Sequence, residues 1–134
     1  MPVQTLRGTE VDKLPYLLKQ HPFVIVQWVT SRFVPCNVQT SQLQQQNFQF
    51  PIIKIDVDQN PKEVEHLMNK YHVAPIFPAI SVFRFSQLLP VEQPHLFGQA
   101  SVETTKHYYG QDDKFLFPIL KKLYGETFNS PVLK

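Results

Sequence analysis

The run FVIVQWV (23–29) constrains this chain more than any other stretch, because β-branched and aromatic residues fill both of its alternating faces. A strand with one wet face alternates apolar with polar; a strand apolar on both has to be covered on both sides. A second buried strand follows at PIIKIDVD (51–58). Between them, NVQTSQLQQQNFQ (37–49) holds no Gly or Pro and is rich in helix formers, with Val38 and Leu43 its only aliphatics, so it reads as a helix beginning after Cys36. A strand, a crossover helix and a strand make the two strands parallel.

The rest of the chain extends this pattern. VQTL (3–6) reads as a short edge strand, Gly8-Thr9 as a turn, and Asp12 as the cap of a helix over 13–20 with Pro15 in its first turn. NPKEVEHLMNKYHV (60–73) is the clearest helix. Asn60 is the expected cap, Pro61 takes the first helical position, Glu63 closes a capping box, and Val64, Leu67, Met68 and Tyr71 line one face. AISVFRF (79–85) is a further strand, and VETTKHYY (102–109) alternates well enough to be its antiparallel neighbour. The stretch 86–101 between them, with two prolines and a glycine, reads as an extended loop. From Asp112 an amphipathic helix is expected, kinked at Pro118 and stopped by Gly125. The order β-α-β-α-β-α-β-β-α implies an α/β domain over 1–126 and a tail over 127–134. Its centre is a mixed β-sheet of four to five strands flanked by helices on both faces.

Bulk properties exclude several function classes. The 134 residues suffice for one core, and 43% hydrophobic with 18% charged residues is the balance of a globular domain. A net charge of +2, with Lys and Arg scattered, is no footprint for nucleic acid. No apolar run is long enough to span a membrane. The five histidines have no spacing that converges on a metal, and no phosphate-cradling glycine loop is present, so neither metal nor cofactor is expected. One cysteine rules out an intramolecular disulfide, and the start MPVQTLRGTEV lacks a signal-peptide core, which together favour the cytoplasm or the nucleus.

That cysteine sits in RFVPCNVQ (32–39), where F-V-P-C has the form of a C-x-x-C redox site with an aromatic ring in the first position. FVIVQWV ending in Trp28 ahead of this motif, KIDVDQNP (54–61), YHVAPIFPAISVF (71–83) and YYGQDD (108–113) together resemble the thioredoxin-like superfamily in order and spacing, over almost the whole chain. The resemblance implies a thioredoxin-like fold in which Pro78 is a cis-proline facing the site. It also implies a groove for an extended peptide beside that proline.

The departures fall on the chemistry. A dithiol oxidoreductase attacks a substrate disulfide with its first cysteine and resolves the mixed disulfide with its second. Phe33 stands in the attacking position, Val26 stands where the family carries a buried Asp, and Arg32 replaces the flanking Trp. Seven residues separate Trp28 from Cys36, which fits the family's second cysteine with one residue inserted and fits the first badly. Cys36 is either a small buried thiol under the first turn of a helix or a single reactive thiol.

The resemblance therefore points to a redox-silent module that binds a protein or peptide through Phe33, Val34, Pro35, Cys36, Ile76, Phe77, Pro78, Tyr109 and Gly110. Phe33, Val34, Ile76, Phe77 and Tyr109 would form an exposed apolar patch there unless they turn inward. The alternative is a single-cysteine thiol oxidoreductase or redox sensor using Cys36. A structural subunit docking through the 86–101 loop is a third reading.

Overall fold

A computed structural model describes residues 3–30, 32–59, 61–89 and 116–129. Its elements are β1 (Val3–Leu6), a 3-10 segment (Gly8–Lys13), α1 (Leu14–Gln20), β2 (Phe23–Val29), α2 (Val34–Gln45) and β3 (Ile52–Asp56), followed by α3 (Pro61–Lys70), β4 (Ala79–Arg84), β5 (Gln87–Leu89) and α4 (Leu116–Asn129). The sheet has five strands in the order β1-β3-β2-β4-β5. β1 and β2 each pair parallel with β3, and β4 pairs antiparallel with both β2 and β5.

β2, buried at all seven positions, is the central strand that its composition demands. Its alternate side chains serve two cores. Val24, Val26 and Trp28 join Ile53, Ile55 and Phe83 under α1 and α3, which contribute Leu14, Leu18, Val64 and Leu67. Phe23 and Ile25 join Ile52, Ile80 and Val82 on the other face, under Leu43 of α2 and Phe117 and Leu120 of α4. Phe48 and Phe50, stacked at 4.7 Å, wedge the α2–β3 connection into that second core.

Four local expectations are overturned. The cap of α1 is Lys13 rather than Asp12, because the 3-10 segment absorbs Gly8–Lys13 and buries Val11. α2 begins at Val34, ahead of Cys36: Phe33 is extended at the cap, and Pro35, with its φ already set, fits the first turn. The neighbour expected for β4 at 102–109 lies outside the described residues, as do Asn60, Asp112 and the rest of the loop from 90 onward. Within that expected loop, Gln87–Leu89 is instead strand β5, joined to β4 by a two-residue turn. Gly125 does not stop α4, whose face of Phe117, Leu120, Tyr124 and Thr127 continues past it; Thr127 is buried and donates its hydroxyl to the Leu123 carbonyl at 2.9 Å.

Candidate functional site

β2 and β3 end, and β4 begins, at one edge of the molecule. Val29 lies opposite Asp56, and Trp28 opposite Ala79, so the chain leaves the sheet after Val29 and after Asp56, and enters it from 74–78, at this one end. The Val57 N–H continues the ladder to the Val29 carbonyl at 2.8 Å, and Thr30 donates its hydroxyl to the Asp58 carboxylate. These contacts tie the loop carrying F-V-P-C to the end of β3.

Val34, at the first position of α2, is 44% exposed, while Phe33 is half-buried and Pro35 and Cys36 are buried. Ile76 and Phe77 are half-buried, and Pro78 is buried behind a cis Phe77–Pro78 peptide. Phe77 packs against the core under α3 with Val57, Met68 and Val73, and lines a cleft of about 340 Å³ beside that helix. Tyr109 and Gly110 lie outside the described residues. At the positions where the chain departs from the family, Val26 is wholly buried in the apolar core and Arg32 is exposed.

Cys36 is 1% exposed, and burial pushes its thiol up to about 11. The Thr30 N–H and Lys54 act in the opposite direction and Asp56 reinforces the rise; desolvation outweighs them all. A helix N-terminus ordinarily favours a thiolate, yet here the sulfur faces inward, where an anion would lose its hydration.

Beneath the first turns of α2 lies a polar pocket that sequence reasoning missed. Gln27, 0% exposed, donates from its amide nitrogen to Gln39 Oε1 (3.1 Å) and to the Cys36 carbonyl (3.4 Å). Its oxygen accepts from the Thr40 hydroxyl at 2.9 Å. Every polar atom of the Gln27 amide is thus partnered, as burial requires. A lone glutamine inside an otherwise apolar two-faced strand was the available signal. On the opposite face Trp28 Nε1 donates to Ser81 Oγ at 2.9 Å, fixing the indole at the start of the loop. Among the described residues no group of three or more His, Cys, Asp or Glu is placed to hold a metal, and no helix is long and apolar enough to cross a membrane.

No family model and no curated relative matches the sequence. Solved structures do. Oxidised thioredoxin from Plasmodium falciparum superposes with a TM-score of 0.60 at 18% identity, over 90% of this chain and 97% of that one. A point mutant of thioredoxin from Halobacterium salinarum gives 0.54 at 18% identity, over 81% and 89%. Schistosoma mansoni thioredoxin gives 0.52 at 14% identity, over 81% and 94%. Taken with the strand order, the helices on both faces and the loop end just described, these matches make the fold of this chain thioredoxin-like.

Proposed function

We propose that this chain is a redox-silent thioredoxin-like module that binds a protein or peptide partner beside its degenerate F-V-P-C motif. The observation that carries the reading is Cys36: the chain's single cysteine, buried, with its thiol pushed up to about 11. Disulfide exchange needs an accessible thiolate to attack and a second thiol to resolve the mixed disulfide. A thiol at about 11 is one part in roughly ten thousand ionised at neutral pH. No second sulfur resolves what it forms.

The binding half of the proposal rests on what the loop end offers a partner. Val34 is an exposed aliphatic at the start of a helix, next to half-buried Phe33 and on the same end of the sheet as the 74–78 loop. An extended segment laid along that loop would find backbone groups ahead of β4 and apolar surface from Val34. The test is capture from native lysate on immobilised wild-type protein and on Val34→Asp. Because Val34 is exposed, the substitution should change stability by no more than about 0.5 kcal/mol. Proteins retained by wild type and lost with Val34→Asp support the reading; an identical retained set contradicts it. Phe77→Asp is the poorer probe, since Phe77 packs on the core under α3 and a charge there would unfold as well as unbind.

A further inference from the structure

At the other end of β4, roughly 17 Å from Ala79 at about 3.4 Å per residue, the chain does something costly. β4 and β5 are joined by Phe85 and Ser86 alone, with Arg84 opposite Gln87 and φ values of +51° and +68° at the two turn residues. Positive φ at both positions is the signature of the tight turn that Asn-Gly makes without strain. A bulky aromatic residue in the left-handed region is a genuine outlier. Such conformations persist where the surroundings over-determine them, and here they do: the Phe85 N–H donates to the Pro22 carbonyl at 2.9 Å, and the Ser86 hydroxyl donates to the Leu18 carbonyl at 2.9 Å. The turn is pinned to the corner between α1 and β2.

Yet the ring gains little from this. Phe85 is 47% exposed, and Leu88, three residues on, is 37% exposed. A residue held in an unfavourable backbone region while nearly half of its surface stays in water is not explained by packing alone. The ring forms one wall of a cleft of about 340 Å³, whose other walls are Lys19, Gln20, His21, Pro22 and Ser86. Lys19 is exposed, no acid among the described residues lines the cleft, and its charge-bearing groups are all basic types.

We propose that the Phe85 turn and the α1–β2 corner form a second docking site, for a partner segment that carries an apolar side chain flanked by carboxylates. The apolar side chain covers the Phe85 ring and a carboxylate meets Lys19. Aromatic anchors beside a charge of one sign are what give an interface both affinity and orientation. This site lies at the opposite end of the sheet from Val34 and stands whether or not the groove reading holds.

The strain makes the proposal unusually testable, because binding and stability should move in opposite directions. Fluorescence anisotropy would follow a labelled hexapeptide with Leu-Phe at its centre and two glutamates on each side, together with its counterpart carrying lysines instead. Wild type should bind the acidic peptide at least tenfold more tightly than the basic one. Phe85→Asn, which suits the left-handed region, should weaken acidic-peptide binding at least fivefold while leaving Tm unchanged or raised by about 2–5 °C. Lys19→Glu should weaken it by at least as much, and Phe85→Tyr should retain it. Equal binding of the two peptides, no saturable binding, or binding indifferent to Phe85→Asn would overturn the proposal. So would a Phe85→Asn protein that melts lower or fails to fold, since the ring would then be structural. Concentration-dependent dimerisation abolished by Phe85→Asn would also overturn it, by assigning the surface to a second copy.

Discussion

Two buried side chains, Cys36 and Gln27, lie under the first turn of α2, and Cys36 carries the chain's only thiol. Cys36 is small, apolar in behaviour and enclosed, so native protein at pH 7.5 should react with a thiol probe at least about 100-fold more slowly than the same protein in denaturant. Labelling at comparable rates would mean that the thiol is open to solvent. The same burial has a consequence for alkaline stability. The folded thiol titrates at about 11 and the unfolded one at 9.0, so between those values the unfolded state sheds its proton while the folded state holds it. Stability is therefore complete below pH 9 and falls as pH rises toward 11, by on the order of 2 kcal/mol, and Cys36→Ala should flatten that part of the profile. An unchanged slope in the alanine variant would assign the loss to other groups. Gln27 is the second residue: Gln27→Leu strands the Gln39 amide oxygen, while the Thr40 hydroxyl keeps the Cys36 carbonyl at 3.0 Å, and should cost about 1–3 kcal/mol, measured by urea unfolding. Replacing all three by apolar residues should cost less than the sum of the single changes, and strict additivity would mean that the three do not act as a network.

At the scale of elements, what was legible in the sequence is what burial and capping control. β2 and β3 were readable because their composition leaves no alternative, and α3 because Pro61, Glu63 and its apolar stripe mark both its start and its face. The start of α2 was not readable: the run of helix formers begins only after Cys36, whereas Pro35 at the second helical position loses nothing and the helix takes Val34 to Cys36 into its first turn. The β4–β5 turn was hidden for a related reason, since Phe-Ser carries none of the usual signals of a two-residue hairpin. Gly125 misled in the opposite direction, because tertiary burial of Thr127 outweighs its poor helix propensity. The α2 geometry yields a direct prediction. Phe33 at the cap and Cys36 three residues on stand one turn apart, so Phe33→Cys should bring two sulfurs within bonding range. Mild oxidation of that variant should form an intramolecular disulfide, detected as loss of both free thiols in a monomeric species. A folded variant that keeps two titratable thiols would contradict the placement of the helix start.

The whole molecule has a thioredoxin-like fold with one cysteine in place of a C-x-x-C pair. That β2 and β3 are parallel strands covered on both faces follows from which runs are apolar on both faces and was open to sequence reasoning; the strand order was not, because apolar runs do not say which strands are neighbours. The site was only partly open to it. Val34 is 44% exposed, whereas Phe77 spends much of its surface on the α3 core, a difference that no periodicity in RFVPCNVQ or YHVAPIFP encodes. The polar pocket of Gln27, Gln39 and Thr40 depends on three residues meeting across a strand and a helix, and only the fold brings them together. If the thiol is enclosed beneath α2 and has no resolving partner, the scaffold cannot turn over disulfides. The most direct test is the reduction of insulin disulfides with dithiothreitol as the terminal reductant, comparing wild type, Cys36→Ser and a no-protein control. The account predicts that wild type and Cys36→Ser both run at the control rate; wild-type turnover above that rate which disappears in Cys36→Ser would contradict it.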